Sequence, residues 1–205
     1  EETATNVNPA SPFVPTGVGN PINALTGNKF EQKSDIQAVG DTYALRLNRY
    51  YNSQSRQLGM FGYGWRSDYE MQLQDTDSQI DIIQADGRQH HFYKTTTTDP
   101  KTNLTFTRYQ AKDPSLGFVE RANQSDPAKS LWQWQLPSGK RFQFTAHKQV
   151  KATTQTGTYR FGQLLSVTEN PKQVNSPYWE LTYDTLGRLA QVRNHTGDTL
   201  KFNYS

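Results

Sequence analysis

The chain is predicted to fold as an all-β protein, a succession of antiparallel hairpins joined into a curved open sheet. Three observations predict this. Apolar and aromatic residues alternate with polar ones at period two in short runs. Glycine or proline punctuates those runs roughly every ten residues, as expected of many short strands. No long stretch carries apolar residues at helical spacing. Composition agrees, because 12% aromatic residues, 33% hydrophobic residues and a mean hydropathy of −0.87 suit a thin sheet wetted on at least one side.

Residues 1–21 hold Pro9, Pro12, Pro15 and Pro21 with Gly17 and Gly19, and read as an extended arm, since proline disfavours both helix and ladder. Residues 22–150 read as a β module. Asn20 to Lys29 is a turn feeding a strand through Phe30. Tyr43, Leu45 and Leu47 alternate as one half-buried strand, which ends in Arg49-Tyr50-Tyr51-Asn52-Ser53. Phe61, Tyr63 and Trp65 alternate with Gly62 and Gly64, and glycine there lets a neighbouring ring lie flat against the chain. This cluster reads as core packing; an exposed Trp65 would instead be a stacking platform for a sugar.

Hairpins then recur. Gly87 to Phe92, Gly139 to Phe144 and Gly197 to Phe202 share one offset, and the glycines follow Asp86, Ser138 and Thr196, the mark of two-residue turns. Between the first two, residues 95–129 are rich in Thr and Asp, with breakers at Pro100, Pro114 and Pro127. They read as a long surface insertion with one hairpin near Leu104 to Tyr109.

Residues 151–205 read as repeated hairpins. Trp179, Leu181 and Tyr183 alternate with Glu180 and Thr182, Asp184 and Gly187 reverse the chain, and Leu189 to Val192 forms the return strand. Tyr159 to Leu164 with Val167 aligns with this unit at an offset of about 25 residues, a repeat period. Leu200, Phe202 and Tyr204 begin a third copy. Such a cut array leaves a strand edge at Leu200 to Tyr204, and self-association through it is expected.

The same residues exclude several classes. A net charge of +3, spread along the chain, lacks the clustered stripe of a nucleic-acid binder. There is no cysteine for disulfide or thiol chemistry, and no apolar run approaches the roughly 20 residues of a membrane span. His90 and His91 are adjacent and point to opposite faces of a strand, so they cannot share a metal. His147 and His195 have no acidic residue at a ligand spacing and read as surface residues. Asp75, Asp77 and Asp81 lack the glycine and glutamate of a calcium loop and read as a solvated turn. No nucleophile elbow or phosphate cradle is present. No catalytic, cofactor or metal residue is therefore assigned, and enzymatic activity is not expected.

Tyr183-Asp184 followed by Gly187-Arg188-Leu189 resembles the YD repeat of the Rhs family, which also occurs in teneurins and in the C components of insecticidal Tc toxins. The opening at Asn20, Arg49-Tyr50-Tyr51-Asn52-Ser53, Gly62-Tyr63-Gly64-Trp65 and Ala85-Asp86-Gly87-Arg88 resemble, in order over residues 20–92, the module preceding Rhs repeats in bacterial polymorphic toxins. The resemblance implies that these are structural motif residues in hairpins joined edge to edge as a hollow shell around a toxic C-terminal domain. It implies as partners the remaining repeats and toxin domain of the same parent and a secretion machinery such as type VI. It also implies a secreted or cell-surface location and a role in bacterial competition. The family's autoproteolytic aspartates and toxin domain have no counterpart in these residues. The alternative is a surface adhesin that binds glycans through exposed aromatics, Trp65 and Trp134 foremost.

Overall fold

The computed structural model describes residues 27–55, 58–122, 131–145, 148–154 and 157–204. The proline-rich arm, the opening turn at Asn20 and His147 lie outside the described residues.

Strand β1 (Phe30–Ile36) pairs with β2 (Leu47–Asn52), and a minimal hairpin of β3 (Leu58–Gly59) and β4 (Gly62–Tyr63) leads to β5 (Trp65–Ser67), which pairs with the other edge of β2. The expected strand from Tyr43 is shorter than the alternation suggests. Residues 41–44 are a turn, with Ala44 N donating to Asp41 O at 3.0 Å and Tyr43 N to Asp41 Oδ1 at 2.8 Å, and 45–46 lead from it into β2. The expected run from Phe61 to Trp65 is likewise divided. Gly62 and Gly64 sit at φ 104° and 77°, and that left-handed backbone breaks the pleat between β4 and β5.

Next come β6 (Gln72–Asp75), β7 (Gln79–Ile83), β8 (Gln89–Thr98), β9 (Thr105–Ala111), β10 (Phe118–Arg121), β11 (Trp132–Gln135) and β12 (Arg141–Phe144), each of β7 to β12 pairing antiparallel with the one before. Burial alternates strictly along β6, β11 and β12. In β11 and β12 every second residue is buried, namely Trp132, Trp134, Phe142 and Phe144, while Gln133 and Gln143 face outward. Strand β13 (Lys148–Thr154) turns into the twelve-residue β14 (Gly157–Thr168). Residues Arg160 to Gln163 of β14 pair with β6, and Leu164 to Thr168 pair with β12. One long strand thus has a neighbour from each end of the meander, and β6 to β12 with β14 close into a barrel. Gly162 sits at the changeover, where a Cβ would lie 2.9 Å from Thr145 O and 3.3 Å from Phe144 Cβ. The interior is filled. Trp134 stacks on Phe142 at 4.6 Å and 22°, and Leu73, Ile80, Ile82, Phe92 and Phe144 are fully buried.

The second half of β14 also starts a flank. Ser166 to Thr168 pair with β15 (Tyr178–Tyr183), which pairs with β16 (Leu189–Asn194) and then β17 (Thr199–Lys201). The outer edge of β17 has no partner among the described residues. The fold is all-β, as the sequence predicts: consecutive antiparallel hairpins with one open flank, here fused to a closed barrel.

Residues 95–122, the described part of the expected insertion at 95–129, differ from expectation. Strand β8 runs to Thr98, β9 and β10 are barrel strands, and a 3-10 turn, Pro114–Leu116, joins them. A hairpin does lie where one is expected, with its turn at residues 99–104, but its arms belong to the wall. Pro100 and Pro114 fall in connections, so these two breakers mark turns between strands rather than the absence of strands, and Pro127 lies outside the described residues. Phe202 to Tyr204 fall outside β17, although Phe202 N still donates to Ala190 O at 2.9 Å.

Candidate functional site

The residues singled out by the sequence assemble into two places, and a third place carries polar groups that the sequence did not point to.

The first is the turn between β15 and β16. Asp184 N donates to Arg188 O at 2.8 Å and Gly187 N to Asp184 O at 2.9 Å, with Gly187 at φ 80°. The Asp184 carboxylate accepts from Leu186 N, Arg188 N and Arg188 Nε, and those bonds, the Arg188 backbone first, hold its pKa below the ordinary value. Turns at 84–88, 136–140 and 194–198 repeat both backbone bonds, with Gly87, Gly139 and Gly197 at φ 88°, 99° and 92°. None of these is the two-residue turn that the sequence suggests. Their central residues keep negative φ and the glycine follows them, which is the three-residue loop closed by a glycine bulge.

Successive hairpins are clasped. Tyr183 Oη donates to Leu164 O at 2.6 Å, and Tyr204 Oη donates to Leu189 O at 2.8 Å. Leu164 and Leu189 occupy equivalent places in the two aligned copies, so one bond recurs from copy to copy. Arg188 also lies over the Tyr204 ring at 4.4 Å, tying the turn of one hairpin to the tyrosine after the next.

The second place is built on β2 and β5. Arg49 forks onto Asp35, with Nη2 to Oδ1 at 2.7 Å, and its guanidinium lies 5.0 Å from the Phe61 ring and 5.2 Å from the Trp65 ring. Tyr51 packs on Trp65 at 5.1 Å. Tyr50 Oη donates to Asp68 Oδ1 at 3.2 Å, and burial followed by the Asp68 charge pushes its pKa up to about 12. Gly64 admits the close packing, since a Cβ there would lie 2.8 Å from Asn52 O and 2.9 Å from Tyr51 Cε2. Gly62 has open space around it, so its φ of 104° is what calls for glycine.

Trp65 is therefore half-buried and contacted by Arg49 and Tyr51 rather than offered as a platform. Trp134, the other aromatic considered for glycans, is 2% exposed inside the barrel, its Nε1 donating to Leu116 O at 2.7 Å. His195 is not a plain surface residue. Its Nε2 is 3.2 Å from Asp41 Oδ2, across 154 positions of sequence that no spacing rule spans, and its ring meets Tyr43 and Tyr178 edge-on. Tyr43 O accepts from Trp179 Nε1 at 2.8 Å, which fastens the 41–44 turn to the β15 and β16 hairpin. His90 and His91 point apart, His90 against Trp134 and His91 to Asp81.

The third place is one end of the barrel, where a cavity of about 290 Å³ is bounded by Asp75, Asp77, Lys94, Thr107, Tyr109 and Arg121 over a floor of Trp132. Asp75 is not part of a solvated turn: it is 3% exposed and its Oδ1 accepts from Asp77 N at 2.8 Å. Tyr109 Oη donates to Asp77 O at 3.1 Å, and Arg160 pairs with Asp77 at 3.5 Å. Burial first, then the Asp75 charge, raises the Tyr109 pKa. These groups come from β6, β8, β9 and β10, far apart in sequence, and alternation alone marks them only as inward or outward. Among the described residues no three acidic or histidine side chains converge as a metal site.

Residues 19–92 match a family model described as a domain of unknown function, DUF6531. Over 73 residues the chain is 34% identical to the tRNA nuclease WapA of Bacillus subtilis (strain 168), an overlap that covers 36% of this chain and 3% of WapA. Over 211 residues it is 23% identical to double-stranded DNA deaminase toxin A of Burkholderia cenocepacia (strain H111), covering 89% of this chain and 14% of that protein. The chain thus spans a small fraction of the length of these relatives. Among solved structures, the crystal structure of TcdB2-TccC3-TEV superposes with a TM-score of 0.51 at 15% identity, over 88% of this chain and 10% of that one. That likeness is one of fold. The chain is accordingly similar to segments of polymorphic-toxin-like proteins, and it shares its β fold with part of the TcdB2-TccC3-TEV structure.

Proposed function

We propose that this chain is a non-catalytic structural segment of a secreted Rhs-type toxin, the part that seals and begins a β-shell enclosing a C-terminal toxin domain. The observation that carries this reading is a single sheet that is closed and solid on one side and open on the other. A barrel packed with Trp132, Trp134, Phe92 and Phe144 has no room for cargo, so it suits a sealed end. The flank of β15 to β17 grows by equivalent hairpins joined through the tyrosine clasp, so it suits a wall that lengthens by repetition. Similarity to segments of WapA and of the deaminase toxin supports a place within a larger toxin-related parent, whose remaining repeats and toxin domain would be the partners.

Electron microscopy of the full-length parent tests the proposal. The expected image is a hollow shell with this segment at one pole and density for the toxin domain inside. Solid particles without a cavity, or a shell with this segment outside its wall, would reject it.

A further inference from the structure

We infer that the open end of the barrel is a binding site for a neutral polyhydroxylated ligand, a sugar ring in the cavity with further units laid along the projecting β8 and β9 hairpin. This goes beyond the structural role proposed above and does not depend on it.

The cavity supplies the first argument. Its lining carries Asp77 and the buried Asp75 with Lys94 and Arg121, and Arg160 is paired to Asp77 at 3.5 Å. Charges of both signs crowd one small space, so an anion or a cation meets repulsion about as much as attraction. A hydroxyl does not, because it donates to a carboxylate and accepts from an ammonium or guanidinium. About 290 Å³ lies at the lower end of small-molecule pockets and is commensurate with a sugar ring.

The hairpin supplies the second. Beyond Lys94 and Tyr109, which face each other in register, β8 and β9 continue with the pairs Thr96 with Thr107 and Thr98 with Thr105. Period-two alternation puts these two threonine pairs on the face that bears Lys94 and Tyr109. Thr98 Oγ1 and Thr105 Oγ1 are 3.3 Å apart. A row of threonine hydroxyls therefore leads out of the cavity. Trp132 lies beneath Arg121, whose guanidinium is 4.8 Å from its ring centre, so recognition is by hydrogen bonds and not by stacking.

Titration of the whole chain, followed by tryptophan fluorescence and by ligand-observed NMR, tests the inference. The probes are glucose, N-acetylglucosamine and maltotriose, with inorganic phosphate and free glycine as charged comparators. Saturable millimolar binding of at least one sugar is expected, tighter for the trisaccharide, with neither comparator competing. Lys94 and Thr96 are exposed, so Lys94→Ala and Thr96→Val keep the fold. Lys94→Ala should weaken sugar binding by about tenfold and Thr96→Val should abolish the trisaccharide advantage, whereas Trp65→Ala should change neither. Absence of saturation by any sugar at 100 mM, roughly a hundredfold above a millimolar constant, would overturn the inference. So would preferential binding of phosphate or glycine, or undiminished binding by Lys94→Ala.

Discussion

At the scale of residues, backbone conformation and buried hydroxyls govern what the motifs do. Gly64 combines φ 77° with a position where a Cβ would press on Asn52 O and Tyr51. Gly64→Ala should cost about 1–3 kcal/mol, read as a lowered urea midpoint, whereas Gly62→Ala, with open space around it, should cost less. The tyrosines make a second prediction. Burial is the first cause of the raised pKa of Tyr50 and Tyr69, each pushed up to about 12, and of Tyr43, Tyr109, Tyr183 and Tyr204. Because the folded state holds these protons more tightly than the unfolded chain, the stability they contribute is complete below pH 10. It is lost as pH rises from about 10 towards 12. The urea midpoint should therefore hold steady through neutral pH and fall across that window. Tyr69→Phe, which removes the 2.6 Å bond to Arg46 O, should lower stability by about 1–2 kcal/mol at pH 8 and soften the alkaline decline. The sequence made Gly64, Trp65, Arg49 and Tyr51 legible because their types and spacing are unusual. Asp75 and His195 are not legible in the sequence, because Asp75 is buried only by the folded sheet and His195 meets Asp41 of a turn 154 positions away.

At the scale of elements, hairpins were legible and the fate of the connections was not. Glycine at positive φ marks the turns at 87, 139, 187 and 197, after a polar residue in three of them and after Leu186 in the fourth. Residues 95–107, by contrast, are polar because β8 and β9 overhang the barrel beyond the pair of Lys94 and Tyr109, so composition alone reads them as a loop. The two tryptophans once comparable as glycan platforms separate clearly at this scale. Trp134 fills the barrel between Phe92 and Phe142, and Trp134→Ala should cost about 3–5 kcal/mol. Trp65→Ala acts on the small sheet, where the ring is half-buried, and should cost roughly half as much. Thermal unfolding of the two variants, with near-ultraviolet circular dichroism to follow the barrel aromatics, checks the difference. Equal losses would mean that the small sheet and the barrel share one core.

At the scale of the whole molecule, closure through β14 sets what is rigid and what is available. Every strand from β6 to β12 has two neighbours, whereas β17 has one, so amide exchange should be slowest in β7, β11 and β12 and fastest in β17. The unpaired edge of β17 then decides how copies of the chain meet. Its backbone groups can recruit another strand, but Thr199–Lys201 is only three residues long and Lys201 is exposed, and both a short edge and a lysine oppose pairing. Self-association through this edge should accordingly appear only at high concentration in sedimentation velocity. Lys201→Val removes the charge while raising strand preference, and should move association to lower concentration. Thr199→Pro removes a backbone donor and should suppress it. If the three proteins sediment alike over the same concentration range, copies meet through another surface and the β17 edge is protected by its own brevity.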